Sequence, residues 1–203
     1  MKFNILPSSQ IIEKTISALN ANGITAYFVN TPKEACNKTL EIIPQGAHIM
    51  TMTSVTLETL GLTKEINESG KFQSIRAEFA KMDQETQKTR MRELGAAPDW
   101  VIGSVHAITQ QGEVLIASKT GSQLPAYAYG AGKVLWIAGA QKIVNNKEEG
   151  MKRIYEYTLP LESERAKKAY GAPGSDVDKM LIINREIQQG RITIILVNEV
   201  LGF

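Results

Sequence analysis

A short turn, Thr120-Gly121-Ser122-Gln123, carries residue types that can hold an anion without any charge of their own. Gly121 allows backbone amides to converge, and the hydroxyls of Thr120 and Ser122 add donors on either side. Such a set of donors suits a carboxylate or a phosphate. So short a motif is more often an ordinary tight turn with a capping serine. The turn is therefore a candidate ligand site, with the plain turn as its alternative.

Basic side chains near predicted strand and helix ends could neutralise an acidic ligand at this turn. Lys142 is the best placed, because Gly139-Ala140-Gln141 leads from a buried strand directly into it. Open parallel sheets bind ligands beyond the carboxyl ends of their strands. Lys133 and Arg153 are further candidates of the same kind. Each of these side chains could instead be a solvated surface charge, which is the usual role of a lysine.

His106 is the candidate general acid or base, because an imidazole titrates near neutral pH. A half-buried, hydrogen-bonded histidine is the commoner alternative, and His48 has less support still. The histidines lie far apart, Cys36 is the one cysteine, and no acidic cluster lies nearby. We therefore expect no metal and no cofactor, and we interpret Cys36 as a small core residue. No serine elbow, P-loop or dinucleotide fingerprint occurs.

The elements that must position these residues alternate between helix and strand in the first third of the chain. Helices are predicted after Pro7, over residues 31–42 and over residues 54–60, and strands over residues 24–29 and 47–52. This alternation is typical of a parallel sheet covered by helices. Residues 70–94 are polar and charged, and we interpret them as an insert or cover, with residues 82–94 helical.

From residue 100 onward the chain is rich in strand-forming residues. Two predicted strands, 100–109 and 113–118, flank Gln110-Gln111-Gly112, which has the length and glycine of a hairpin loop. A third, 133–138, is apolar after its first residue and is expected to be buried on both faces. The later elements are a helix from about residue 145 that Pro160 interrupts, a helix over 161–170, a helix over 177–187, and a closing strand over 192–198. Residues 1–203 are expected to form one domain, with 171–203 as a possible arm or dimer contact.

Bulk composition excludes several classes of protein. The net charge is +2, and 43% of residues are apolar, so neither disorder nor a nucleic-acid or anionic-membrane partner is indicated. A single cysteine suits a reducing compartment. Residues 1–7 have one charged side chain and a very short apolar run, unlike a secretory signal, and no apolar run approaches the length of a membrane span. We therefore expect a cytoplasmic protein.

Two neighbouring runs, Gly103-Ser104-Val105-His106-Ala107-Ile108-Thr109 and residues 112–118, resemble the lactate-utilisation (LUD) domain family. The similarity continues through residues 120–125, 132–134 and 139–144, and it includes residues 54–62 and the ending 191–203. The chain is most similar to the small, single-domain lactate utilisation protein C-like group. The resemblance implies a three-layer α/β/α sandwich like the NagB/RpiA/CoA transferase-like fold, with a mostly parallel sheet and a hairpin.

The resemblance also implies a link to bacterial lactate oxidation, where such domains occur as subunits beside iron–sulfur proteins. The first hypothesis is an accessory subunit in lactate (organic-acid) oxidation that binds a small anionic ligand or an iron–sulfur partner. The alternatives are an enzyme acting on a small phosphorylated or CoA-linked acid, and an assembly or regulatory module without a ligand. Many family members carry an acid where this chain has Ser104-Val105-His106, so no catalytic acid is carried over. A homo-oligomer is left open.

Overall fold

The computed structural model describes residues 3–203. Met1 and Lys2, which begin the stretch 1–7 that is unlike a secretory signal, lie outside the described residues. The helices are α1 (Ser9–Ala21), α2 (Pro32–Ile42), α3 (Val55–Thr59), α4 (Leu62–Glu68), α5 (Ile75–Phe79), α6 (Lys88–Ala96), α7 (Lys147–Arg153) and α8 (Leu159–Tyr170). The strands are β1 (Thr25–Val29), β2 (His48–Thr51), β3 (Gln73–Ser74), β4 (Trp100–Gly103), β5 (Ala107–Thr109), β6 (Val114–Ser118), β7 (Lys133–Gly139), β8 (Ile143–Val144), β9 (Lys179–Ile183) and β10 (Ile192–Val197).

A parallel sheet of six strands, ordered β1-β10-β7-β4-β2-β3, forms the centre of the molecule. In β7 the side chains of Trp136 and Ala138 enter one apolar core, and those of Leu135 and Ile137 enter another. Because successive side chains of a strand point to opposite faces, β7 is buried on both sides, as its apolar run predicts.

Helices cover both faces of this sheet. The α2, α3 and α4 helices pack on one face through Ala35, Leu57 and Ile66. On the other face lie α1, α5 and a second sheet of four strands, ordered β8-β5-β6-β9. The far side of that second sheet packs against Ile154, which follows α7. The expected α/β fold with a mostly parallel sheet is confirmed, and the small sheet is an addition to the expected layers.

The hairpin around Gln110-Gln111-Gly112 is also confirmed, because β5 and β6 are antiparallel with Ala107 opposite Leu115. The single strand predicted over residues 100–109 is wrong. The chain leaves the large sheet after Gly103 and enters the small sheet at Ala107. Residues 104–106 therefore cross between the two sheets, and the His106 N–H already donates to the Leu115 carbonyl of β6.

Three other predicted elements differ from the structure. Residues 177–187 are not a helix, since β9 pairs antiparallel with β6. Pro160 does not interrupt a helix, because it lies in the first turn of α8, where a missing N–H costs little. A π-helical turn, Ile154–Thr158, joins α7 to α8. The α6 helix begins at Lys88 rather than residue 82.

Residues 171–203 place one strand in each sheet. Gly171 ends α8 in the left-handed conformation with φ of +64°. The following chain supplies β9 to the small sheet, and then β10, which lies between β1 and β7 in the large sheet. The division of the chain into domains stays a prediction. Within residues 3–203, no helix has both the length and the apolar character that crossing a membrane requires.

Candidate ligand-binding cleft

A cleft of about 500 Å³ opens at the carboxyl ends of the adjacent strands β2, β4 and β7. Residues 52–54 follow β2, residues 104–106 follow β4, and Lys142 follows β7. The end of β6, the α8 helix and residues 172–177 form the remaining walls. The volume lies within the usual range for small-ligand sites. The expectation that ligands bind at strand ends therefore points to this cleft.

Lys142 lies at the floor of the cleft, where a 3-10 turn after β7 directs it inward. Its side chain is only 2% exposed, so its contacts are fixed by the protein. The Nζ atom is 3.1 Å from Ser104 Oγ and 3.2 Å from Thr56 Oγ1. It forms no ion pair with a carboxylate of the described residues. Burial, and secondarily the charge of Arg153, lowers the pKa of Lys142 well below its usual value.

His106 lines the cleft beside Lys142. The backbone N–H of Ala117 donates to His106 Nδ1 over 3.2 Å, which leaves the ring proton on Nε2. Burial, followed by the charges of Lys142 and Arg153, lowers the pKa of His106 to about 3. The imidazole is therefore neutral at physiological pH. At that pH it can donate a hydrogen bond from Nε2, but it is a poor acceptor of protons.

Arg153 is completely buried behind His106 and is not part of the cleft wall. Its Nη1 donates to the carbonyl of His106 and, over 3.0 Å, to Thr158 Oγ1. Its Nε and Nη2 atoms are buried without a hydrogen-bond partner among the described residues. Burial lowers the pKa of Arg153 to about 10, so the guanidinium stays charged at neutral pH. Arg153 thus supports His106 and adds positive charge behind the cleft.

The turn predicted to bind an anion forms one rim of the cleft through Thr120, Ser122 and Gln123. Its central glycine has a φ of +82°, which a residue with a side chain rarely adopts. Two of the amides of this turn are hydrogen-bonded within residues 118–122. The Gly121 N–H donates to Ser118 Oγ over 2.8 Å, and the Ser122 N–H is 3.3 Å from Thr120 Oγ1. The turn therefore offers hydroxyl and amide side chains to a ligand, and these two backbone donors are already used.

Arg76 is a cleft residue that the sequence reasoning missed, because it lies in the polar segment interpreted as a cover. Its Nε donates to the Thr51 carbonyl over 2.8 Å, and Nη2 is 3.4 Å from Thr53 Oγ1. Among the described residues it has no carboxylate partner. The signal that could have located it is Ser74, a capping residue one position before Ile75, where the α5 helix begins.

Two other cations on the wall are already neutralised. Arg165 forms two hydrogen bonds of 2.7 Å with the Glu162 carboxylate. Lys119 pairs with Asp176 over 2.9 Å. The unpaired guanidinium groups at the cleft are therefore Arg76, on its β2 side, and the buried Arg153 behind it.

The remaining sequence candidates lie elsewhere. Lys133 donates to the Gly190 carbonyl over 2.7 Å. His48 Nε2 is 2.9 Å from Glu78 Oε1, and Cys36 Sγ donates to the Leu60 carbonyl over 3.2 Å. None of these three side chains lines the cleft. Within residues 3–203, no group of three or more His, Cys, Asp or Glu side chains is arranged to hold a metal ion.

The fold and the cleft together define an α/β protein with a ligand-sized site at the carboxyl ends of a parallel sheet. The LUD domain family model matches residues 12–197. The chain therefore belongs to the LUD domain family. No curated protein matches the sequence.

A solved structure agrees with this fold over nearly the whole chain. A DUF162 family protein from Deinococcus radiodurans has a TM-score of 0.56 at 11% identity, covering 96% of this chain and 100% of that one. At this identity the similarity concerns the fold alone. Two weaker matches are to Chaetomium thermophilum proteins. The eIF2B beta chain has a TM-score of 0.40 at 12% identity, with 68% and 48% of the two chains covered. The eIF2B delta chain has a TM-score of 0.37 at 15% identity, with 71% and 58% covered.

Proposed function

We propose that this chain is an accessory subunit of cytoplasmic bacterial lactate (organic-acid) oxidation, and that its cleft binds a small organic carboxylate. Membership of the LUD domain family supports the metabolic context. The observation that carries the binding role is a pair of guanidinium groups without carboxylate partners among the described residues. Arg76 lines the cleft, and Arg153 lies behind it.

The geometry favours Arg76 as the anchor for the carboxylate. A guanidinium has five N–H donors, and the contacts with Thr51 and Thr53 use two of them. Burial lowers the pKa of Arg76 from a value far above neutrality, so its charge is permanent. Charge-assisted hydrogen bonds of this type contribute roughly 1.5–3 kcal/mol each. The hydroxyl of Ser104 and the Nε2–H of His106 add neutral donors in the same cleft.

Isothermal titration with lactate and pyruvate tests this assignment. The Arg76→Gln variant is expected to lose roughly 10- to 100-fold in affinity, the equivalent of one charge-assisted hydrogen bond. Arg90→Gln is the matched control, because Arg90 is an exposed α6 residue paired only with Glu93. Equal affinities in the wild type and both variants, or no heat with either acid, would contradict the carboxylate site.

The proposed iron–sulfur partner requires a separate test. The chain contains one cysteine, Cys36, so cysteine ligands for a cluster would have to come from another subunit. Purification from cells grown on lactate is expected to recover an iron-containing protein together with this chain. A chain that purifies alone, with normal growth on lactate after its gene is deleted, would rule out the accessory role.

A second candidate function is an enzyme acting on a phosphorylated or CoA-linked acid. The observation in its favour is the size of the cleft, about 500 Å³, which exceeds what a three-carbon acid fills. The rim hydroxyls of Thr120 and Ser122 suit a phosphate. Thermal-shift measurements with phosphosugars, nucleotides and CoA esters are expected to show stabilisation that Ser122→Ala or Lys142→Ala removes. If every organic acid and phosphate fails to bind, an assembly module without a ligand remains.

A further inference from the structure

The amine of Lys142 has a defined hydrogen-bond geometry at the cleft floor. The Thr56 hydroxyl donates to the Leu201 carbonyl over 3.3 Å, so toward Lys142 it serves as an acceptor. Ser104 provides the second partner of Nζ. A neutral amine has two N–H groups, and these two hydroxyls can accept both of them. The remaining position on nitrogen is then a lone pair.

The surroundings of Lys142 favour the neutral form. Neither hydroxyl partner is charged, and the nearby Arg153 repels a second positive charge. The carboxylates on the cleft wall, Glu162 and Asp176, are engaged with their own cations. Burial in such a setting lowers the pKa of the ammonium and leaves a nucleophilic amine.

We propose that Lys142 forms a covalent imine with the carbonyl carbon of a small oxo acid bound in the cleft. This proposal rests on the proposed function, since it makes the bound carboxylate a 2-oxo acid held through its carboxylate by Arg76. Oxidation of a 2-hydroxy acid yields such a 2-oxo acid, so the site would bind the product of the proposed pathway.

The bonding changes balance without a further reactant. The Nζ lone pair attacks the carbonyl carbon, a C–N bond forms, and the electron pair of the C=O π bond moves to oxygen. A proton passes from nitrogen to that oxygen, for which the Ser104 hydroxyl is a hydrogen-bonded relay. The C–O bond then breaks, the second amine proton leaves with the oxygen as water, and a C=N bond remains. The His106 Nε2–H is a neutral donor for the developing oxyanion.

The expected selectivity follows from the fraction of neutral amine. An ordinary lysine of pKa about 10.4 is neutral in only about one molecule in a thousand at pH 7.4. Because its pKa is lowered, Lys142 has a larger neutral fraction there, so it should react faster than an exposed lysine, by at most about 1,000-fold. This advantage should shrink as the pH approaches 10.

Reductive trapping tests the imine. The full-length protein is incubated at pH 7.4 with pyruvate and sodium cyanoborohydride, and intact mass and peptide masses are measured. We expect one reduced pyruvate per chain, located on Lys142, and its loss in Lys142→Met. A matched variant outside the cleft, Lys133→Met, should keep full labelling. Lactate, which has the carboxylate but no carbonyl, should give no adduct.

The outcomes separate this proposal from the function on which it rests. Labelling spread over surface lysines, or labelling unchanged in Lys142→Met, overturns the imine. No adduct together with pyruvate affinity that depends on Arg76 also overturns the imine, but leaves the carboxylate site intact. No adduct and no binding overturn both. If Lys142→Met does not fold, the peptide map of the labelled wild type still decides which residue reacts.

Discussion

Replacing Lys142 by methionine tests whether the amine is neutral in the folded protein. In the unfolded chain a lysine has a pKa of about 10.4. Burial, together with Arg153, places the pKa of Lys142 in the folded protein well below that value. Between the two pKa values the unfolded chain binds one more proton than the folded chain. The wild type must therefore gain stability as the pH rises through this window, and the methionine variant lacks this contribution.

The size of the effect follows from the proton count. Each pH unit inside the window adds about 1.4 kcal/mol to the free energy of unfolding of the wild type relative to Lys142→Met. Two units therefore add roughly 2.7 kcal/mol. At pH 7 the variant is expected to be at least as stable as the wild type, because the substitution removes a costly buried amine. The Thr56 hydroxyl still donates to Leu201 after the change.

Urea unfolding at pH 7, 8 and 9, followed by tryptophan fluorescence, measures the difference. Trp136 is fully buried and reports loss of the core. Cys36, whose pKa burial raises, titrates in both proteins and cancels in the comparison. The series stops at pH 9, because Arg153 has a pKa of about 10. A difference in the free energy of unfolding that stays constant over these pH values would show that Lys142 is charged in the folded protein, contrary to this prediction.

Three further predictions concern the surroundings of the cleft. Nitrogen-15 NMR of the imidazole should show that His106 is neutral, with its proton on Nε2, from pH 8 down to pH 5, because its pKa is about 3. Protonation of His106 near pH 6 would contradict this prediction. Gly103→Ala should destabilise the fold by about 1–3 kcal/mol in thermal unfolding, because the new methyl group meets the Tyr127 hydroxyl. The control Gly95→Ala, in α6, meets only a side-chain carbon at 3.7 Å and should be neutral or stabilising. Arg191→Met should destabilise the fold by about 3–5 kcal/mol, because it removes hydrogen bonds to a largely buried carboxylate and to three carbonyls. A melting temperature like that of the wild type would disprove that role.

Local patterns in the sequence predict those helices and strands whose conformation depends little on the segments that pack against them. The run after Lys133 is apolar at every position, and only a strand with two buried faces uses such a run. Placement of Lys142 beside a ligand-sized cleft also follows from the sequence, because the carboxyl end of a buried parallel strand is where such sites form.

Long-range pairing determines what the local pattern misses. Val177, Met180 and Leu181 have helical spacing, yet residues 179–183 pair with β6 over five positions, and these tertiary contacts override the local preference. The end of β4 at Gly103 depends on the presence of a second sheet, which no local sequence pattern indicates. Whether Arg76 has a carboxylate partner likewise depends on which acidic side chains lie near it in the folded chain. The sequence alone does not give this information.

The position of β10 between β1 and β7 has a consequence for biosynthesis. Thr25 of the first strand pairs with Thr193 of the last, and β1 has no other strand neighbour in the described chain. A ribosome must therefore release nearly the whole domain before β1 can dock, and during that time its hydrogen-bonding edge lacks its partner strand. Contacts so distant along the chain close slowly, since the entropy of a long loop is lost before any pairing compensates for it. Until then the first strand of the domain remains unpaired, and the complete cleft, which includes Phe203, can form only after synthesis has passed β10.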